Sequence, residues 1–212
     1  YPAEVLQAFR DLARTHGIAL IVDETYRDFD SRTGAPHDLF ADPAWDDTLI
    51  QLYSFSKAYR LTGHRVGAVV TSPARLAEIE KFLDTVTICP NQLAQRAALW
   101  GMRNLGDWLA GERLEILDRR AAIEDNFHLL AAKGWELLGC GAYFAYVKHP
   151  FAMSSADLAP VLVKEAGVLL LPGTMFMPDD VPGGEAQLRI AFANIDRAGV
   201  EALFNRLSLL EL

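Results

Sequence analysis

The sequence predicts an α/β chain, part of a layer built on a mostly parallel sheet, followed by a smaller C-terminal α+β unit. Three observations carry this. IALIV at residues 18–22 is apolar on both faces and follows a helical pattern directly, as a central strand covered by helices does. TLIQLYSF at 48–55 is a second apolar strand, and both strands end in polar residues. After a long helical pattern the chain changes to short strands interleaved with helices.

In order, Val5, Leu6, Phe9, Leu12 and Ala13 share a helical face, with Pro2 suited to the first turn and Gly17 to the stop. Strand 18–22 closes on DETY, Asp23 to Tyr26, and the loop through Asp30, Ser31, Gly34, Pro36, Asp42 and Pro43 is rich in breakers. Strand 48–55 follows, and 65–70 forms another short strand. Helical spacing covers 73–83 and 91–102, and a longer helix spans 107–133 and stops at Gly134. Beyond it the pattern predicts a strand at 142–147, a helix at 156–166 and a strand at 168–171. A loop with Pro172, Pro178, Pro182, Gly183 and Gly184 leads to a strand at 187–192 and a final helix. The implied division is 1–106 as the larger domain, 107–134 as an interdomain helix and 135–212 as the small domain.

With 212 residues, about half of them apolar, the chain can bury a substantial core. A net charge of −8 argues against a general nucleic-acid binder, so isolated basic residues need local explanations. Cys89 and Cys140 lie far apart without a CxxC spacing, which fits a reducing, cytoplasmic setting. His16, His37, His64, His128 and His149 are scattered and read as surface or packing residues, and no metal site is predicted. No apolar run is long enough to span a bilayer, and the N-terminus lacks a leader pattern.

The chemistry concentrates in YSFSKAYRLTGHRVG, residues 53–67. Desolvation in a pocket disfavours a lysine's charge, so the free amine becomes usable as a nucleophile, and Lys57 is placed for that at a strand end. Ser54, Ser56 and Arg65 add hydroxyls and a guanidinium, a donor set suited to a phosphate. An aldehyde that also carries a phosphate fits both groups. Pyridoxal phosphate is such a molecule, and it needs a carboxylate against its ring nitrogen. Asp23 closes the neighbouring strand, and Tyr26 could donate to the ring's phenolic oxygen. Taken singly, an aspartate at a strand end is more often a turn residue, and Lys57 and Arg65 could be a snorkelling lysine and an ion-paired arginine.

DETY followed some thirty positions later by S-x-S-K-x(7)-R-x-G closely resembles the class I/II aminotransferase family, fold-type I pyridoxal-phosphate enzymes, and the resemblance covers essentially the whole chain. It implies the pyridoxal-phosphate-dependent transferase fold. It assigns to Lys57 the covalent link to the cofactor and the transfer of the Cα proton, to Asp23 the pyridine nitrogen, to Tyr26 the ring oxygen, and to Ser54 and Arg65 the phosphate. LRIAFAN at 188–194 looks like the family strand whose arginine grips the substrate carboxylate, here Arg189. A planar guanidinium in an apolar strand is costly without a partner, and a carboxylate is the natural one, from a substrate or from an internal Asp or Glu. GCGAYFAYV and GVLLLPGTMF resemble small-domain segments, with Gly173 and Thr174 on the substrate side.

The resemblance implies transamination between an α-amino acid and a 2-oxo acid in amino-acid metabolism, in a biosynthetic process, by a cytoplasmic homodimer. It also implies that about half of the enzyme is absent. The family's phosphate-binding turn, stacking aromatic and N-P-x-N-P-T-G loop do not occur here, and the first helix matches the one that follows that loop. Two alternatives use the same residues. One is a β-eliminating carbon–sulfur lyase, and the other is an aminotransferase-like sensor domain of a transcriptional regulator. Nucleic-acid contact by this portion and membrane association are not predicted.

Overall fold

The computed structural model describes residues 1–178, 181 and 183–211. Pro182, in the breaker-rich loop, lies outside the described residues. The chain divides into two compact units, Tyr1–Arg113 and Leu114–Leu212, and the division falls inside a helix.

In the first unit α1 (Ala3–His16) ends at Gly17, whose φ of 63° is the left-handed stop that glycine adopts without a Cβ penalty. β1 (Leu20–Asp23) then pairs in parallel with β2 (Leu49–Ser54), and β3 (Gly67–Val70) pairs antiparallel with β2. The sheet order is β1-β2-β3, so the strand expected at the centre of the sheet is at an edge among the described residues. Ile21 accordingly remains 60% exposed, because an apolar strand has both faces to bury and no described element covers this one. A one-turn helix, α2 (Phe55–Ala58), leaves the end of β2. It was not predicted, because four residues carry no periodicity. α3 (Pro73–Val86) starts with Pro73 at its first turn and Ser72 capping the Arg75 amide. α4 (Gln92–Asn104) is capped by Asn91, whose side chain accepts from the Leu93 and Ala94 amides.

α5 (Gly106–Asn126) and α6 (His128–Ala131) replace the single long helix predicted at 107–133. Phe127 keeps helical dihedrals between them and packs its ring on Phe204, while the Asn126 side-chain amide donates to the Ala122 carbonyl at 2.8 Å. The second unit continues with β4 (Glu136–Gly141), β5 (Phe144–Lys148), α7 (Ser155–Val161), β6 (Leu171–Pro172), β7 (Gln187–Ala191) and α8 (Arg197–Ser208). Its sheet, in order β4-β5-β7-β6, is antiparallel throughout. β4 escaped prediction because Gly139 and Gly141 dilute its pattern and a bulge shifts its register between Leu137 and Gly139. α7 contains Pro160 and continues as a π-helical turn over Leu162–Ala166 that Gly167 ends at φ 62°. β5 and β7 alternate cleanly. Ala145, Val147, Leu188 and Ile190 face inward and are buried with Leu158, Leu162, Val200, Phe204 and Leu207. Among the described residues no helix is long and apolar enough to cross a membrane.

Candidate active site

The parallel register of β1 and β2 sets Asp23 beside Leu52. Strand partners share a face and alternate along the chain, so Asp23 and Ser54, two residues beyond Leu52, lie on one face at the same carboxyl end of the sheet. This is where open α/β sheets bind ligands. Asp23 is exposed, and its Oδ1 accepts from the Thr25 amide at 2.9 Å and the Thr25 hydroxyl at 2.7 Å. The aspartate therefore does hold a turn, yet it has no ion-pair partner among the described residues.

β3 adds Arg65. Ser54 pairs with Gly67, and the Phe55 amide donates to the Val66 carbonyl at 3.3 Å, which brings Arg65 level with the start of α2. A Cβ on Gly67 would lie 2.7 Å from the Tyr53 carbonyl oxygen, so the close approach of the two segments requires glycine. Arg65 is exposed with φ 51° and ψ 53°, a left-handed conformation that costs a non-glycine residue energy. Its Nη1 donates to the Thr62 carbonyl at 2.9 Å, and no carboxylate pairs with it among the described residues. Ser54 caps α2 by accepting from the Ser56 amide at 3.3 Å, Ser56 itself is buried, and Lys57 follows half-buried in the same turn. Asp23 and Tyr26 also line a cleft of about 350 Å³ with Glu24, Arg27 and His37, and Ser54, Lys57 and Arg65 are not among its walls.

The Lys57 turn rests on a packed support. Phe55 and Val66 are buried with Ala94 and Ala98 of α4, and Tyr53, Tyr59, Leu61 and Ala68 pack around them. Ala94, Ala98 and Gly101 recur at helical spacing. This small-residue stripe lets Tyr59, the residue that closes α2, lie against α4.

Sequence reasoning missed a buried polar group behind Asp23. Glu24 is buried and accepts from His37 Nε2 at 2.8 Å, from Arg27 Nη1 at 3.0 Å and from Gln51 Nε2. His37 Nδ1 accepts from the Leu39 amide at 3.3 Å, so Nε2 carries the ring proton and donates it to Glu24. The residues read as a packing histidine and the spacer of DETY thus tie the 30–43 loop to both strands. Next to them the Tyr53 hydroxyl donates to Asp28 Oδ2 at 2.7 Å, and burial, reinforced by that carboxylate, pushes the phenol far above its usual range.

Arg189 belongs to the second unit, on β7 with Tyr146 and Leu171 as register partners. Its guanidinium lies 4.4 Å from the Phe144 ring centroid and 4.1 Å from that of Phe176. Its Nε is buried without a hydrogen-bond partner, and no ion pair reaches it among the described residues. The internal salt bridge that would have explained this arginine is not found there. Burial pushes the Tyr146 phenol up, and the charge of Arg189 pulls it partly back.

The profile described as "Aminotransferase class I and II" matches residues 1–207. The chain belongs to this aminotransferase family. It is 26% identical over 211 residues to an aspartate aminotransferase of Sulfolobus acidocaldarius, covering 95% of this chain and 51% of the relative. Among solved structures it is similar to YbdL from Escherichia coli, described as having a methionine aminotransferase function (TM-score 0.85, 24% identity, 99% of this chain and 55% of that one). It is also similar to LysN, an α-aminoadipate aminotransferase from Thermus thermophilus solved with N-(5'-phosphopyridoxyl)-L-leucine (TM-score 0.81, 21% identity, 95% and 52%). The chain spans about half the length of the curated relatives it matches. These likenesses show the fold-type I architecture. In this aminotransferase-family chain, the GTMF turn after β6 has a packing reason for its glycine. A Cβ on Gly173 would lie 2.5 Å from the Gly184 carbonyl oxygen, so Gly173 permits two loops to touch, while Phe176 of the same turn meets Arg189.

Proposed function

We propose that the protein containing this chain is a pyridoxal-phosphate-dependent aminotransferase that exchanges an amino group between an α-amino acid and a 2-oxo acid. The carrying observation is the alignment of Asp23 and Ser54 on one face at one sheet end, with Arg65 on the adjoining segment and Lys57 in the turn between. The donor set fits the cofactor. A capping hydroxyl and a guanidinium suit a phosphate, and an exposed carboxylate suits a pyridinium nitrogen, neither charged group having an ion-pair partner among the described residues.

In this reading Ser54 and Arg65 hold the phosphate, with Ser56 beside them. Tyr26 meets the ring oxygen, and Asp23 keeps the ring nitrogen protonated. When bound, pyridoxal phosphate supplies an electron sink for the bonds of the substrate's Cα. Lys57 would anchor the cofactor through Nζ and, once the incoming amine has displaced it, would take the proton from the substrate's Cα and deliver it to the cofactor's C4′. Arg189 grips the substrate carboxylate with two parallel bonds. The domain division 1–106, 107–134 and 135–212 belongs to the same proposal, as do a homodimeric assembly, a biosynthetic role and a cytoplasmic setting. Association is supported by apolar side chains such as Trp100 and Met102, more than half exposed on α4, and a reducing compartment by the free cysteines.

The test is the full-length protein reconstituted with pyridoxal phosphate. Borohydride reduction is expected to fix the cofactor on the Lys57 peptide, and Lys57→Ala to abolish both the cofactor absorbance and transamination. Fixation on another lysine would overturn the assignment, and product formed from an amino acid without any 2-oxo acceptor would replace transamination with elimination.

A further inference from the structure

We infer that Phe144 and Phe176 are positioning residues that make Arg189 a selective site for a planar carboxylate, by holding the guanidinium without neutralising it. The inference deepens the proposed function and rests on its assignment of Arg189 as the carboxylate anchor.

A half-buried arginine with a buried Nε ordinarily meets an internal carboxylate, which satisfies its hydrogen bonds and cancels its charge. Arg189 instead has ring centroids 4.4 Å and 4.1 Å from its central carbon and no carboxylate partner among the described residues. The rings come from different elements. Phe144 opens β5 two residues before Tyr146, the cross-strand partner of Arg189, and Phe176 ends the turn that follows β6. Aromatic faces attract a cation through their quadrupole but offer no acceptor for its N–H groups. The N–H groups of a guanidinium lie in its plane, so contacts to rings leave them to an incoming group of matching fork geometry. Nε is buried with no hydrogen-bond partner among the described residues, so that donor is unspent. An internal acid would have to be displaced before a substrate could bind, whereas two rings need not move. Selectivity follows, because a neutral amide can accept at one oxygen but cannot compensate the charge.

Phe176 is 41% exposed, so its replacement need not unfold the protein. The experiment uses the full-length protein and ligand-observed NMR, with propionate as the probe and propionamide as its uncharged counterpart. Wild type is expected to prefer propionate. Phe176→Leu should weaken propionate at least about fivefold, within the range of one desolvated cation–π contact, and leave propionamide unchanged, while Phe176→Tyr restores wild-type binding. Phe144→Leu should act in the same direction. Equal propionate affinity in wild type and Phe176→Leu, or no preference for propionate over propionamide in wild type, overturns the inference. Ring-dependent propionate binding in a protein that transaminates no amino acid would overturn the proposed function and leave this inference standing.

Discussion

Adding one methyl group at Gly101 asks whether α4 sets the position of the Lys57 turn. A Cβ there would lie 2.8 Å from Cδ1, 3.2 Å from Cε1 and 3.5 Å from Cγ of Tyr59. Carbon atoms are in best contact at about 3.5–4.0 Å, so ring and helix must part by roughly 0.7 Å or more. The ring cannot yield alone, because the Tyr59 amide donates to the Phe55 carbonyl at 3.2 Å and the Tyr59 and Phe55 rings pack with centroids 5.8 Å apart. Overpacking of this kind costs about 1–3 kcal/mol. Replacing a helical glycine by alanine returns up to about 1 kcal/mol. With the full helix-propensity return subtracted, Gly101→Ala is therefore expected to destabilise by up to about 2 kcal/mol, where helix propensity alone predicts the opposite sign. Urea denaturation of the full-length protein measures this, and a cycle with Tyr59→Ala should show coupling of about 1 kcal/mol or more, since removing the ring frees the space. Because the same ring closes α2, Gly101→Ala should also retain less pyridoxal phosphate after dialysis. A raised denaturation midpoint, or a cost that persists unchanged without the Tyr59 ring, would refute the reasoning.

Two further outcomes follow from titrating groups. Burial lowers the pKa of His149, opposed by the hydrogen bond of its Nε2 to the Glu185 carbonyl at 3.1 Å. The unfolded histidine, near 6.5, takes up its proton first, so this contribution to stability is present above pH 6.5 and is lost as pH falls through the lower folded value. Urea midpoints between pH 7.5 and pH 5 should fall more in wild type than in His149→Gln, and equal declines would contradict the assignment. Burial, with Glu124 adding to it, pushes the Cys140 thiol up to about 11, while Cys89 is exposed. With a thiol-specific chromogenic disulfide at pH 8, Cys89 should react more than about tenfold faster, as mapped by mass spectrometry; comparable rates would show that Cys140 is open to solvent.

What was legible in the sequence was what rests on local spacing. Gly17 stops α1, Pro73 starts α3, and the positions of Ser54, Lys57 and Arg65 around one strand end follow from a short motif read against strand polarity. What escaped depends on partners distant along the chain. β1 read as central because its residues are apolar on both faces, and strand order, a property of the sheet, leaves it at an edge among the described residues of a chain that spans about half the length of its relatives. Part of the buried group could have been deduced. Neighbouring strand residues face opposite sides, so the Asp-Glu pair closing β1 cannot put both carboxylates on the ligand face. If Asp23 serves a ligand, Glu24 must point to the other face, and a carboxylate there demands donors. The identity of those donors was the unreadable part. His37 reaches Glu24 across a loop and Gln51 from the neighbouring strand, separations that no local pattern encodes. Arg189 follows the same logic. An arginine in an apolar strand announced a missing acceptor, but only the packing of Phe144 and Phe176 explains how the strand tolerates the charge without an acid of its own among the described residues.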